Sequence, residues 1–249
     1  MTKKAPKDLP KKSRKSVSFD VFLMLIWVGA SVIVAQLVIG YLMIWILGAE
    51  KFDQPIWTAV YSALVYVLVM LLIILVPRKN TNRVSLGLRE TPTWTDIGLA
   101  PVGFVVYLFL AAGLVAIFSF FPWFNAEEAQ EIGFSLYSVG FDRVIAFVTL
   151  VVIAPIAEEI IFRGWLYGKM REKLNEKVSN RTSMLISIFL VSLLFGIIHL
   201  QWNVGVNVFA LSVVLCGLRE ITGTIYSGIL LHIIKNAVAF YYLFVLGRV

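Results

Sequence analysis

Two adjacent glutamates and an arginine, Glu158, Glu159 and Arg163, stand in the segment AEEIIFRG at the end of an uncharged apolar run, VIAFVTLVVIAPIA. An ionisable group in such surroundings costs a few kcal/mol to insert, so it is either paired or part of a functional site. Glu159 and Arg163 are four residues apart with the acid first, the favoured order for a helical ion pair, and are expected to satisfy one another. Glu158 points about 100° away around the helix and is expected to lack that partner. An unpaired carboxylate in a low-dielectric site suits proton transfer near neutrality, the work of a general base or acid. Pro155, three residues earlier, removes a backbone hydrogen bond and is expected to bend the helix there. The competing reading is a purely structural Glu/Arg cluster that ties helices together.

The same reasoning picks out His199 near the end of a second apolar segment, and His232, Lys235 and Asn236 within a third; these include both histidines of the chain. His232 and Asn236 are four apart and share a helix face, and Phe195 and His199 repeat that spacing. Lys235 lies near the His232 face and either snorkels to the interface or pairs with a glutamate. Glu158 and His232 each fall about ten residues from the same end of their spans, roughly 15 Å in, so they are level. His199 is roughly 25 Å along its own helix. It joins them only if the two helices flanking GKMREKLNEKVSNRTS project beyond the membrane, and that projection is expected.

These residues need helices to hold them. The chain of 249 residues is 59% hydrophobic and 15% charged, which marks a membrane protein. Seven apolar stretches approach or exceed the ~20 residues that cross a bilayer: 19–48, 56–76, 97–121, 144–168, 182–200, 204–218 and 223–246. The sixth is short, and whether it is a full span is open. The fold expected is therefore all-α and polytopic.

Although the net charge of +7 could suggest nucleic acid, its distribution by loop argues against such a partner. Seventeen Lys and Arg fall on one side of the membrane against three on the other, which places the N-terminus inside and the C-terminus outside. Trp45, Trp57, Trp123 and Trp202 near expected outer ends, with Trp94 and Trp165 near inner ones, read as an interfacial belt. The basic tail, residues 1–18, reads as a topology determinant lying near anionic lipid. It leads into a retained first span rather than a cleaved signal. Residues 19–249 are expected to form one membrane domain. Cys216 is the only cysteine, so neither an internal disulfide nor a cysteine metal cluster is possible.

Taken in order, EEIIFR (158–163), FGIIH (195–199) and HIIKN (232–236) resemble the motifs EExxxR, FxxxH and HxxxN of the CAAX-protease and bacteriocin-processing (CPBP, or Abi) family of intramembrane proteases. The approach TGTIYSGILLH also looks like family members, as does the loop element LGLRE, and the family-like core spans about 143–246. The resemblance implies seven or eight helices around a water-accessible central cavity, and hydrolysis of a peptide bond of a membrane-associated peptide or protein. It implies that Glu158 activates the attacking water with His199. His232 and Asn236 then steady the oxyanion, while Glu159 and Arg163 hold the site in place.

A metal is the open point, since Glu158, His199 and His232 would also suit Zn²⁺ with a free fourth position. The H-E-x-x-H helix is lacking, and a metal-free enzyme is favoured. A non-catalytic scaffold or regulator of the same fold, for example in bacteriocin immunity, is the alternative. A transporter is disfavoured by the lack of inverted repeats. The compact length and short outer loops look bacterial, which would place the protein in a bacterial plasma membrane. Its substrate would then be a peptide precursor such as a bacteriocin or pheromone leader; in a eukaryote or an archaeon it would be a prenylated CaaX peptide. Gly164 and Gly168 in GWLYG have GxxxG spacing, which is expected to serve packing within one bundle rather than dimerisation.

Overall fold

The computed structural model describes residues 17–52, 54–75, 82–88, 91–128 and 140–247. The tail up to residue 16 and the charges at Arg78, Lys79, Arg89, Glu131 and Arg248 lie outside the described residues.

Among the described residues, seven helices are long and apolar enough to cross a membrane. They are α1 (Val17–Leu47), α2 (Pro55–Leu75), α3 (Trp94–Phe118), α4 (Gly140–Leu174), α5 (Asn180–Ile197), α6 (Trp202–Thr222) and α7 (Tyr226–Val245). No strand occurs among the described residues, so the fold is all-α, as expected. Local signals set the ends. Thr93 and Asp96 form a reciprocal capping box at the start of α3, and Ser179 caps α5 by accepting from the Thr182 amide. Gly223, with φ of +68°, ends α6 in the left-handed region. Only short turns separate α4 from α5, α5 from α6 and α6 from α7, so these four run alternately up and down.

α6 lies at the centre, packed on α3, α5 and α7, while α1 and α2 pair with each other. Half of the most apolar window of α6 (50%) is buried inside the bundle, against 17% for each of α1, α2 and α3. The apolar surface left on those three faces lipid. One core joins α1 and α2 to α4 and α5 through Val65, Val69, Phe162, Leu166 and Phe195. A second joins α3, α6 and α7 through Tyr107, Leu211, Leu215 and Leu231.

Several expectations need correcting. The sixth helix is a full 21 residues, because its polar ends, which depress hydropathy, continue the helix. Arg219 there folds its guanidinium back onto the carbonyls of Gly223 and Ser85. The fourth helix is 35 residues long rather than ending near 168, about 50 Å against roughly 30 Å of hydrocarbon. Its extension is held by charge: Arg171 binds Glu220 of α6 at 2.6 Å, and Lys169 binds Glu172 at 3.1 Å. A helix of that length exceeds the hydrocarbon thickness, as the projection expected from the depth of His199 would need. Trp165 is not interfacial; it is 4% exposed and sits in the first core. At the opposite end Trp123 and Trp202 do meet, with ring centroids 5.3 Å apart among other exposed aromatics.

The GWLYG glycines serve packing within the bundle. A Cβ at Gly164 would stand 3.1 Å from the Leu86 carbonyl oxygen, and one at Gly168 would stand 3.3 Å from that of Ser85. The LGL turn thus lies directly on α4, and its Gly87 carbonyl accepts from the Ile225 amide at 3.3 Å. α5 and α6 cross at close range, where a Cβ on Gly196 would meet the Gly205 carbonyl oxygen at 2.8 Å. Because backbone blocks that space, Gly196→Ala is expected to destabilise by about 1–3 kcal/mol, read as a lower melting temperature in detergent. An unchanged melting temperature would mean that the crossing is looser than described.

Candidate active site

α4 carries the carboxylates on an irregular stretch. It is π-helical over Val148–Ile153, α-helical over Ala154–Glu158, and π-helical again over Glu159–Tyr167. Such bulges recur at functional sites because they re-aim side chains. Pro155 has a specific consequence here. In the π register the Ala154 amide donates to the Thr149 carbonyl. The next carbonyl, Leu150, would receive the amide of residue 155, which proline lacks. Asn236 of α7 supplies the donor instead, with Nδ2 2.8 Å from the Leu150 oxygen. One amide hydrogen of Asn236 is thereby committed to backbone, leaving its second for other work.

Glu159 and Arg163 pair as expected, with Nη1 to Oε1 at 2.9 Å and both side chains almost fully buried. The same Oε1 also takes a hydrogen bond from His232 Nδ1 at 3.0 Å. The Arg163 guanidinium lies 4.5 Å over the Phe195 ring, which adds a cation–π contact from α5. A Cβ on Gly228 would stand 3.0 Å from Glu159 Oε2, so α7 approaches this carboxylate through a glycine. A single carboxylate on α4 therefore gathers α5 and α7.

Contrary to expectation, Glu158 is not without a partner. Tyr66 of α2 donates its hydroxyl to Oε1 at 2.8 Å. Its other oxygen, Oε2, faces His232 Nε2 at 3.8 Å, beyond hydrogen-bond range. Lys235 makes no ion pair within 4 Å among the described residues and is partly buried.

The two histidines present the same edge. A carboxylate and a carbonyl can only accept, so His232 holds its proton on Nδ1 toward Glu159. His199 likewise holds one on Nδ1 toward the Phe195 carbonyl, at 2.7 Å. Each ring is left with Nε2 for chemistry. Phe195 touches both rings edge to face, with centroids 5.0 Å from His199 and 6.2 Å from His232. His199 lies just past the end of α5, where Leu200 turns the chain with φ of +56°, an unusual backbone for a residue with a side chain. With its proton held on Nδ1, a neutral His199 ring offers Nε2 as an acceptor.

Among the described residues no group of three or more His, Cys, Asp or Glu side chains gathers closely enough to hold an ion. Glu158, His199 and His232 are neighbours without converging in that way. Tyr66 is the functional candidate that sequence reasoning missed. A signal existed: it falls near the middle of a 21-residue span, where a phenol needs a buried partner, rather than in an interfacial belt.

Residues 140–238 match the family model described as Type II CAAX prenyl endopeptidase Rce1-like. The matched segment runs from the start of α4 through most of α7 and contains all three motifs, but none of α1–α3. No curated protein and no solved structure matches the chain.

Removing one partner of a buried ion pair leaves the other uncompensated. Arg163→Met is expected to cost about 3–5 kcal/mol, measured as a lower melting temperature in detergent. The double variant Glu159→Leu/Arg163→Met should regain much of that stability yet stay inactive, because His232 has lost its acceptor. A single variant as stable as wild type would contradict the pairing.

Proposed function

We propose that this chain, which carries a Rce1-like CAAX-protease domain over residues 140–238, is an intramembrane endopeptidase in which Glu158 activates the water that attacks the scissile carbonyl. The observation that carries the reading is the division of labour between adjacent carboxylates. Glu159 is spent on Arg163 and His232, whereas Glu158 keeps Oε2 uncommitted, facing an imidazole edge.

The chemistry follows from that division. Glu158 takes a proton from water, assisted by Nε2 of His199, and the hydroxide oxygen forms a bond to the carbonyl carbon. The second amide hydrogen of Asn236 is available to the resulting oxyanion. His232 contributes from Nε2 when that nitrogen also carries a proton. Collapse breaks the C–N bond, and the proton taken by Glu158 passes to the departing amine. Fixed donors in a site with little water stabilise such charge more than they would in bulk solvent. No step requires a metal.

The substrate is a membrane-associated peptide or protein, because Glu158, His232 and Asn236 lie within membrane-length helices. The family description points first to prenylated C-terminal peptides, and a leader-type precursor is the second class to test. With the N-terminus inside, as the loop charges indicate, the α4–α5 turn would lie on the cytosolic side.

The test is cleavage of quenched fluorogenic peptides of both classes by the purified protein in detergent. Wild type should turn over at least one class, Glu158→Gln should lose about 10²-fold or more, and a strong chelator should change nothing. Activity retained in Glu158→Gln, or abolished by chelator and restored by Zn²⁺, would overturn the mechanism.

A further inference from the structure

We infer that Tyr66 is the positioning residue for the catalytic carboxylate, so that the active site is completed from α2, outside the segment that carries the family motifs. The inference rests on the reading above and extends it to a residue for which no motif speaks.

The geometry is specific. Among the described residues, Tyr66 is the one side chain that donates a hydrogen bond to Glu158, at 2.8 Å. Glu159 and Arg163, the charged neighbours on the same helix, are bound to each other. His232 approaches from α7, but at 3.8 Å it does not hold the carboxylate. Without the phenol, no other hydrogen-bond donor among the described residues would fix which oxygen of Glu158 faces the substrate. With it, Oε1 is anchored and Oε2 is aimed at the space beside His232 Nε2. A hydrogen bond to a carboxylate is also directional, which a packing contact is not.

α2 is built to deliver that hydroxyl. Val65, Val69 and Ile73 form its buried stripe, and all three belong to the core that contains Phe162, Trp165 and Phe195 of the site helices. Tyr66 follows Val65 at the edge of that stripe and is only partly buried, so its ring reaches across to α4 while α2 keeps its other side to lipid. Phenols retain their proton near neutrality, which makes Tyr66 the donor and the ionised carboxylate the acceptor.

The experiment is steady-state kinetics of Tyr66→Phe, which removes only the hydroxyl, on a peptide that wild type cleaves. Tyr61→Phe serves as a control on the same helix, since the Tyr61 ring packs on Phe52 away from the carboxylates. We expect Tyr66→Phe to lose about ten- to a hundredfold in kcat, with KM within about twofold and the melting temperature unchanged, while Tyr61→Phe behaves as wild type. Unchanged kcat in Tyr66→Phe would overturn the inference. So would a loss of kcat that comes with a lower melting temperature or a raised KM, since that pattern marks helix packing. Failure of wild type to cleave any peptide would instead count against the endopeptidase reading, and the two failures are thereby told apart.

Discussion

A charge buried in a membrane protein must be neutralised where it lies, and Glu159 sets how the bundle can close. Its Oε1 accepts from both Arg163 and His232, and its side chain is fully buried. Each partner brings a helix with it. Arg163 lies across Phe195 of α5, and His232 arrives with Gly228 so that α7 can come near. Loss of either partner would strand a desolvated charge at a cost of several kcal/mol, a large part of the stability of any single domain. The three motif helices are thus tied together through Glu159, the carboxylate to which the proposed mechanism gives no proton transfer.

That arrangement frees its neighbour. Glu158 precedes Glu159 by one residue, at the junction where α-helical geometry gives way to π, and so it points to a different side of the helix from the ion pair. Pro155 shapes the same stretch by removing the amide that Leu150 would use, and Asn236 compensates from α7. The histidines obey one rule: an acceptor on Nδ1 leaves Nε2 for chemistry, whether that acceptor is the Glu159 carboxylate or the Phe195 carbonyl. The result is a set of groups with fixed protonation edges, which is what preorganised proton transfer needs.

Much of this was legible in the sequence, for physical reasons. Polar and ionisable residues are so costly in apolar helices that Glu158, Glu159, Arg163, His199, His232 and Asn236 stand out, and the i,i+4 pair of Glu159 and Arg163 is local enough to read directly. The seven spans follow from length and hydropathy. What was not legible depends on tertiary contact. Tyr66 is 92 residues from Glu158, and no spacing rule links them. The structural duty of Asn236 follows from a π register that apolar sequence does not reveal. Trp165 looked interfacial because the composition beyond it turns charged, but α4 continues to Leu174 and leaves that ring in the core.

The central claim is that the acceptors on Nδ1 set the reactive edge of both rings. The chain has only two histidines, so nitrogen NMR of ¹⁵N-histidine-labelled protein in lipid reads each ring separately, with His199→Gln assigning the signals. The account predicts a proton on Nδ1 of both rings. A His232 that is bare at Nδ1 and protonated only at Nε2 would contradict it, because Glu159 could then no longer be the group that orients the site.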